Sequence, residues 1–174
     1  ISKKLIFTKA MNKLIRERKC ISGGFLLDEL MPSVQKDTGI YIEDREISFS
    51  KYIEDIINSK TYIQIDIPDV IDENDDAVQT LTEVLKTKHN EGVEISIRVQ
   101  DNIDIPVRLQ IYAKRFSYVT NPLTIIDKKI LWFGQPLYSA DFISEGEMLD
   151  TEYFPCVRFE GIHSVRAIKM FLEL

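Results

Sequence analysis

The strongest constraint on the fold is a strand, helix and strand pattern over residues 61–99. Apolar and polar residues alternate at 63–67 and at 93–99, which predicts two half-buried strands. Between them, residues 77–89 repeat apolar side chains at helical spacing. The residues expected to point inward are Ile63, Ile65, Ile67, Val78, Leu81, Val84, Leu85, Val93, Ile95, Ile97 and Val99. A unit of this length predicts two parallel strands joined by a right-handed crossover helix.

Further elements are expected on both sides of this unit. Ser48 is a suitable N-cap for a helix at 49–58. Apolar runs at 123–126 and 130–133 flank Asp127 and two lysines, which predicts a β-hairpin. Other strands are expected at 41–42, 116–119 and 156–159, and other helices at 25–32 and 162–172. The pattern therefore predicts one α/β domain with a mixed sheet flanked by helices.

Charge is distributed unevenly along the chain. The net charge is −6, but the first 20 residues carry seven basic side chains and one acid, so the remainder carries −12. An acidic body disfavours general binding to phosphate backbones. We therefore expect any nucleic-acid contact to use the basic N-terminal segment, with the candidate residues Lys3, Lys4, Lys9, Lys13 and Arg16.

The same segment predicts an amphipathic basic helix at 3–19, because apolar residues recur between the basic ones. Three interpretations stay open for it: a surface helix or linker, a nucleic-acid contact, or a partner contact. The glycines at 23–24 are expected to end the helix. We divide the chain into an N-terminal basic helical appendage at 1–40 and a main domain at 41–174.

The lack of a membrane-spanning or secretory segment in the sequence predicts a protein inside the cell. There is no run of eighteen apolar residues and no signal peptide in the sequence. Cys20 and Cys156 are therefore expected to be buried free thiols rather than a disulfide. A cytoplasmic location, without a membrane contact, is the prediction.

An acidic cluster follows the first strand of the central unit, at the edge where sites gather in α/β folds. Its members are Asp69, Asp72, Glu73, Asp75 and Asp76. We expect a solvated loop in which Asn74, Asp75 or Asp76 caps the next helix; a divalent cation is the alternative. His89 and His163 stand at predicted helix ends and are expected to lie on the surface. No metal or cofactor is predicted.

Residues 120–137 carry the most specific pattern in the chain. Thr120, Pro122, Asp127, Gly134 and Gln135 follow the spacing His-x-Lys, four residues, Asp, and then Gly-Ser seven residues later. This spacing resembles the phospholipase D superfamily, with Asp127 and Gly134 in the family's Asp and Gly positions. Thr120 stands in the His position, Pro122 in the Lys position and Gln135 in the Ser position. The resemblance covers residues 41–174 and implies a phospholipase D-like fold.

In that family the His attacks phosphorus and the Lys binds phosphate oxygens, and two motifs meet across a two-fold axis. The resemblance therefore implies a homodimer, and the lost His and Lys imply a catalytically inactive unit. A threonine hydroxyl needs an adjacent base to act as a nucleophile, and Pro122 has neither charge nor donor. Leu137 stands where the family usually has Asn, and residues 144–148 are similar to the family's acidic loop.

The hairpin is especially similar to the phospholipase D-like domain at the C-terminus of some bacterial superfamily 1 DNA helicases. That similarity implies a non-catalytic accessory domain of a larger helicase-type protein, which serves dimerisation, partner contact or weak nucleic-acid positioning. Two alternatives stay open. One is an active phosphodiesterase or nuclease with displaced residues, in which Asp127 or Glu147 would matter. The other is a pure protein-interaction module.

Overall fold

The computed structural model describes residues 20–21, 24–25, 38–42, 44–119, 122–137 and 156–163, together with 165, 166 and 169. The elements are β1 (Cys20–Ile21), β2 (Gly24–Phe25), β3 (Thr38–Ile42), α1 (Arg45–Ile57), β4 (Tyr62–Ile67), α2 (Asp76–Asn90), β5 (Glu94–Gln100), a 3-10 helix (Val107–Tyr112), β6 (Ala113–Phe116), β7 (Leu123–Ile126), β8 (Ile130–Phe133) and β9 (Cys156–Glu160). Helical residues follow β9 at 162–163, 165–166 and 169.

Seven strands form one mixed sheet in the order β3-β9-β8-β7-β4-β5-β6. β4, β5 and β6 run parallel to one another, and every other neighbouring pair in this sheet is antiparallel. α2 connects the parallel strands β4 and β5, so the predicted βαβ unit is confirmed. The predicted hairpin is β7 and β8, with Ile126 opposite Ile130. The α/β fold class follows directly from these two local patterns.

The core lies between the sheet and the helices α1 and α2. Ile63, Ile65 and Ile67 of β4 face this side and are at most 1% exposed. Because strand side chains alternate, Ile125 and Leu131 face the opposite side, and both are also fully buried. The central strands are thus buried on both faces. The sequences of β7 and β8 are nearly continuous apolar runs for this reason, whereas β4 buries Gln64 and Asp66 on its second face.

Asp44, rather than Ser48, caps α1. The Asp44 carboxylate accepts the Ile47 amide at 2.9 Å, so the helix begins at Arg45. Ser48 lies inside the first turn and donates its hydroxyl to the Arg45 carbonyl at 3.0 Å. The prediction for the second helix is confirmed, because the Asp75 carboxylate accepts the Ala77 amide at 2.7 Å.

Two predicted strands are shifted in the structure. β6 ends at Phe116, where the sequence pattern has its strand begin. The reason is local, because the Gln100 side chain bonds both the Ser117 carbonyl and the Val119 amide and so keeps them out of a ladder. The stretch at 103–113, whose pattern Pro106 makes ambiguous, contains the 3-10 helix. β3 is longer than expected, and its pairing with β9 includes residues 38–40.

The N-terminal appendage is only partly described. β1 and β2 pair as a short antiparallel ladder around the predicted helix break. The sequence pattern predicts a helix that begins at residue 25, but Phe25 belongs to β2. The predicted helix at 3–19 lies outside the described residues. The division at residue 40 stays a prediction, with β3 extending across it.

A buried ion pair ties α1 to the far half of the sheet. Arg158 of β9 donates its Nε and Nη2 to the two carboxylate oxygens of Asp55, at 2.6 and 3.0 Å. The Trp132 indole of β8 donates to the same carboxylate at 2.8 Å. The Arg158 and Asp55 side chains are 5% and 6% exposed. Burial alone lowers the pKa of Arg158, but its hydrogen bonds to Asp55 and Glu160 outweigh that effect and raise it.

Removing one partner of this pair is expected to destabilise the fold strongly. Asp55→Leu removes the buried partner of the Arg158 guanidinium and leaves only the exposed Glu160 as its counter-charge, so the free energy of unfolding should fall by about 3 kcal/mol. Asp55→Leu combined with Arg158→Met should be less destabilising than Asp55→Leu alone, since no charge is left unpaired. Urea unfolding of the four proteins in the double-mutant cycle measures this. Additive losses would contradict a coupled pair.

Candidate functional site

The hairpin β7–β8 separates the motif positions into two groups. Pro122 precedes β7, and Gly134 and Gln135 follow β8, so these three lie at one end of the hairpin. The Gly134 amide donates to the Pro122 carbonyl at 2.7 Å, which holds that end together. Asp127 lies in the turn at the opposite end. Thr120, in the nucleophile position, lies outside the described residues.

Asp127 begins a tight turn in left-handed backbone. Asp127 and Lys128 have φ angles of 50° and 59°, and the Lys129 amide donates to the Ile126 carbonyl at 3.0 Å. Positive φ at both central positions is typical of a type I′ turn, whose twist matches that of the flanking strands. Asp is one of the residues that tolerates this conformation. The hairpin therefore closes tightly without the usual glycine.

The Asp127 carboxylate binds the backbone at the start of β4. It accepts the amides of Lys60, Thr61 and Tyr62 at 2.8 to 3.0 Å, and the Thr61 hydroxyl at 3.0 Å. The Asp127 amide in turn donates to the Tyr62 carbonyl at 2.8 Å. Partial burial raises the pKa of this carboxyl, but the hydrogen bonds outweigh it and hold the pKa below its usual value. Asp127 therefore has a structural role in this chain.

Gln135 turns into the protein rather than toward a ligand. Its side chain is fully buried, and its Nε2 donates to the carbonyls of Asp66 and Leu123 at 2.9 and 3.1 Å. The Thr124 hydroxyl lies 3.3 Å from the same nitrogen and 2.8 Å from the Tyr52 hydroxyl. Both amide hydrogens thus have protein acceptors. The Gln135 Oε1 is buried without a hydrogen-bond partner.

The remaining described positions offer no charged or donor group to a phosphate. Pro122 is buried and has no side-chain donor, and Leu137 is 6% exposed. Gly134 has a φ of 84°, a left-handed conformation that glycine adopts without strain. Gly134 is thus explained by its left-handed backbone conformation. Both Gln135 and Leu137 are buried within the single chain.

The acidic loop lies close to this end of the hairpin. Arg45 connects the two, since its Nε donates to the Pro136 carbonyl at 3.2 Å and its Nη2 to the Asp75 carboxylate at 2.8 Å. Burial raises the pKa of Asp75, but hydrogen bonds from Arg45 and from the α2 backbone lower it overall. Asp75 therefore neutralises the cation that stands beside the motif. No sequence motif marks Arg45, since its partners lie 30 and 91 residues away along the chain.

No metal-binding group is formed by the described His, Cys, Asp and Glu residues. The acidic loop instead bonds its own backbone and neighbours, as where Asp72 accepts the Asn74 amide at 2.9 Å. Cys156 is buried and is in no disulfide among the described residues, as predicted, and burial raises its pKa to about 12. The prediction of burial for Cys20 stays a prediction. His89 and His163 are exposed, and the His89 ring packs edge-on against Tyr112.

The predicted nucleic-acid contacts at Lys3, Lys4, Lys9, Lys13 and Arg16 all lie outside the described residues, as does Glu147. Within the part of the chain that the structure describes, no helix has the length and apolarity needed to span a membrane.

Neither a protein-family model nor a curated protein matches the chain. Solved structures do match. NucT from Helicobacter pylori superposes with a TM-score of 0.55 at 10% identity, over 79% of this chain and 94% of NucT. Nuc from Salmonella typhimurium, described as a phospholipase D family member, gives 0.55 at 9% identity, over 79% and 93%. TrmBL2, described as an archaeal chromatin protein, gives 0.52 at 15% identity, over 95% of this chain and 58% of TrmBL2.

At these identities the similarity shows the fold alone, and that fold is phospholipase D-like. The predicted mixed sheet with flanking helices is therefore confirmed. This chain spans less than two thirds of the length of TrmBL2.

Asp127→Asn tests whether this carboxylate is structural. Asn also tolerates positive φ, so the change isolates the charge, and we expect a loss of about 1 to 3 kcal/mol in the free energy of unfolding at neutral pH. The folded-state pKa lies below the unfolded value of 3.8, so the stabilisation is complete above that value. The stabilisation by the ionised Asp127 carboxylate is lost as the pH falls through the pKa of Asp127 in the folded protein. Urea unfolding of both proteins from neutral to acid pH should show the difference shrinking; a pH-independent difference would contradict it.

Proposed function

We propose that this chain is a non-catalytic phospholipase D-like accessory domain, which serves dimerisation, partner contact or weak nucleic-acid positioning within a larger protein. The observation that carries the proposal is the inward orientation of Gln135, whose two amide hydrogens are both bonded to backbone carbonyls. A side chain in that state has no donor left for a phosphate oxygen. The motif position is filled by a packing residue.

The other described motif positions support the same proposal. Phosphoryl chemistry of the kind that the resemblance implies needs a nucleophile and cations or donors aimed at the phosphate. Pro122 supplies neither, and the Asp127 oxygens are already held by backbone amides and the Thr61 hydroxyl. Arg45, the nearby cation, is paired with Asp75. An anion entering here would meet the acidic loop without a free positive charge from these residues.

A DNA-associated parent protein is part of the proposal. TrmBL2, a longer chain, shares the fold over 95% of this chain and is described as an archaeal chromatin protein with a novel mode of DNA binding. That likeness supports a domain of this fold within a DNA-binding protein, and the hairpin similarity favours a helicase. We propose the basic residues Lys3, Lys4, Lys9, Lys13 and Arg16 as the DNA contacts, in a cytoplasmic protein.

The competing proposal is an active phosphodiesterase, since NucT and Nuc share the fold. We expect the purified chain to hydrolyse neither DNA nor bis(p-nitrophenyl) phosphate in the presence of EDTA. Installing the family residues by Thr120→His and Pro122→Lys should not create activity, and it should lower stability because Pro122 is buried. A phosphodiesterase assay with a phospholipase D-type nuclease as positive control measures the first, and thermal unfolding measures the second.

Hydrolysis that co-purifies with the chain would contradict this proposal if Asp127→Asn or Glu147→Gln abolished it at a temperature where the variant is folded. Hydrolysis that survives both changes would be tested next in a mock purification. If the mock preparation lacks this hydrolysis, the activity belongs to the chain and the proposal is contradicted.

A homodimer is a separate part of the proposal, taken from the family's paired motifs. Replacing the family's His and Lys by Thr120 and Pro122 removes like charge from the expected interface, so pairing is not disfavoured. Sedimentation equilibrium at tens of micromolar should therefore give the mass of two chains. A mass of one chain would remove dimerisation from the proposal and leave partner contact, including the pure protein-interaction module.

A further inference from the structure

β6 forms one edge of the seven-stranded sheet. It pairs with β5 on one side, and among the described residues no strand pairs with its other side. Lys114 and Arg115 are exposed, so the outer edge of the strand is accessible to solvent. β6 and the motif strand β7 are separated by β4 and β5. This edge is therefore a surface distinct from the vestigial motif.

The outer backbone groups of β6 are free to pair with another strand. The Phe116 carbonyl accepts the Asp101 amide at 2.8 Å, so Phe116 directs its backbone toward the β5 side. Backbone groups of successive strand residues point to alternate sides, so Arg115 directs its N–H and C=O outward. The Ala113 carbonyl points the same way. These groups form a short template for the addition of a strand.

The edge is basic, although the body is acidic. Residues 44–104 carry 15 acids and six basic side chains, whereas residues 105–126 carry three basic side chains and no acid. Those three are Arg108, which lies in the 3-10 helix and pairs with Glu83 of α2, and Lys114 and Arg115, which lie in β6. Lys114 forms no hydrogen bond or ion pair with another described residue, so its charge is free to meet an incoming acid. The charge of this edge favours an acidic partner.

Large apolar side chains cluster beside the same edge. Among the described residues, eight large apolar side chains are exposed, and four of them lie within residues 107–118. They are Val107 and Ile111 at 73% exposure, Tyr118 at 71% and Phe116 at 38%. Exposed apolar side chains of this kind are typical of interaction surfaces.

One face of the edge is held rigidly. The Arg98 guanidinium lies over the Phe116 ring, 4.7 Å from its centre, and an ion pair at 3.4 Å joins Arg98 to the buried Asp66. Lys114 is in register with Arg98 on the neighbouring strand. The charged side chains on this face are therefore presented from a fixed platform.

From these observations we infer that the β6 edge binds an extended acidic peptide segment of a partner protein by strand addition, with its acidic residues on the face of Lys114 and its apolar residues on the opposite face. The inference rests on the proposed accessory role, because it names the class of partner. A second copy of this chain fits less well, since antiparallel pairing of two β6 strands would bring their basic residues together. Nucleic acid fits less well, since the outward carbonyls repel phosphate.

The probe is a fluorescent, end-capped peptide that alternates Glu and Val, titrated with the full chain and followed by anisotropy. We expect it to bind, and we expect methylation of alternate amide nitrogens to abolish binding, because the methyl groups remove the strand's donors. The same peptide with Lys in place of Glu should not bind. A thymidine oligonucleotide of equal charge is the competing ligand, and it should not displace the peptide.

Lys114→Glu should weaken peptide binding about tenfold, and Lys129→Glu, at the hairpin tip, should change it less than about twofold. The two variants have the same net charge, and circular dichroism shows whether each is folded. Four outcomes would each overturn the inference. They are no binding of the acidic peptide, equally strong binding of the methylated peptide, an equal loss of binding in both variants, and displacement of the peptide by the oligonucleotide. The methylated-peptide comparison uses unaltered protein, so it decides even where a variant fails to fold. The phosphodiesterase assay reads a different surface, so the two proposals can fail separately.

Discussion

The contact between the Asp127 carboxylate and the start of β4 is the interaction on which the site depends. It fixes the turn of the β7–β8 hairpin against the amides of Lys60, Thr61 and Tyr62, in the middle of the sheet order. Those amides precede or begin the strand and need an acceptor. Holding them with one carboxylate sets the register of β4 against β7, which places Asp66 opposite Leu123. The carbonyls of these two residues are the ones that Gln135 binds.

Sequence reasoning reached the parts of this fold that local patterns encode. The βαβ unit and the β7–β8 hairpin were predictable because each has its own periodicity and turn residues. Their order was enough to indicate the mixed α/β sheet. Strand ends were less accurate, as at β6, because the Gln100 side chain takes backbone groups that the ladder would otherwise use. The α1 cap was misplaced because Asp44 and Ser48 are both good capping residues, and only the backbone geometry distinguishes them.

Contacts between distant residues were beyond reach. Asp55 and Arg158 are 103 residues apart, and nothing in either local sequence indicates a buried partner. At the candidate site, too, the contacts between distant residues were not predictable from the local sequence. Spacing identified the motif positions, and the chemistry of Pro122 was evident from its side chain alone. The inward orientation of Gln135 could not be predicted, because an exposed glutamine would satisfy the same spacing.

The side chains at the described motif positions are consistent with one another as packing. A serine at position 135 would be too short to reach the carbonyls of Asp66 and Leu123, whereas glutamine bonds both and leaves only its Oε1 without a partner. An unsatisfied buried acceptor costs about 1 to 3 kcal/mol, and two bonded donors offset a comparable amount. Gln135 thus fills this end of the hairpin from inside the protein. Function is carried by individual surfaces rather than by the fold as a whole, and the β6 edge is separated from this end of the hairpin by the two strands β4 and β5.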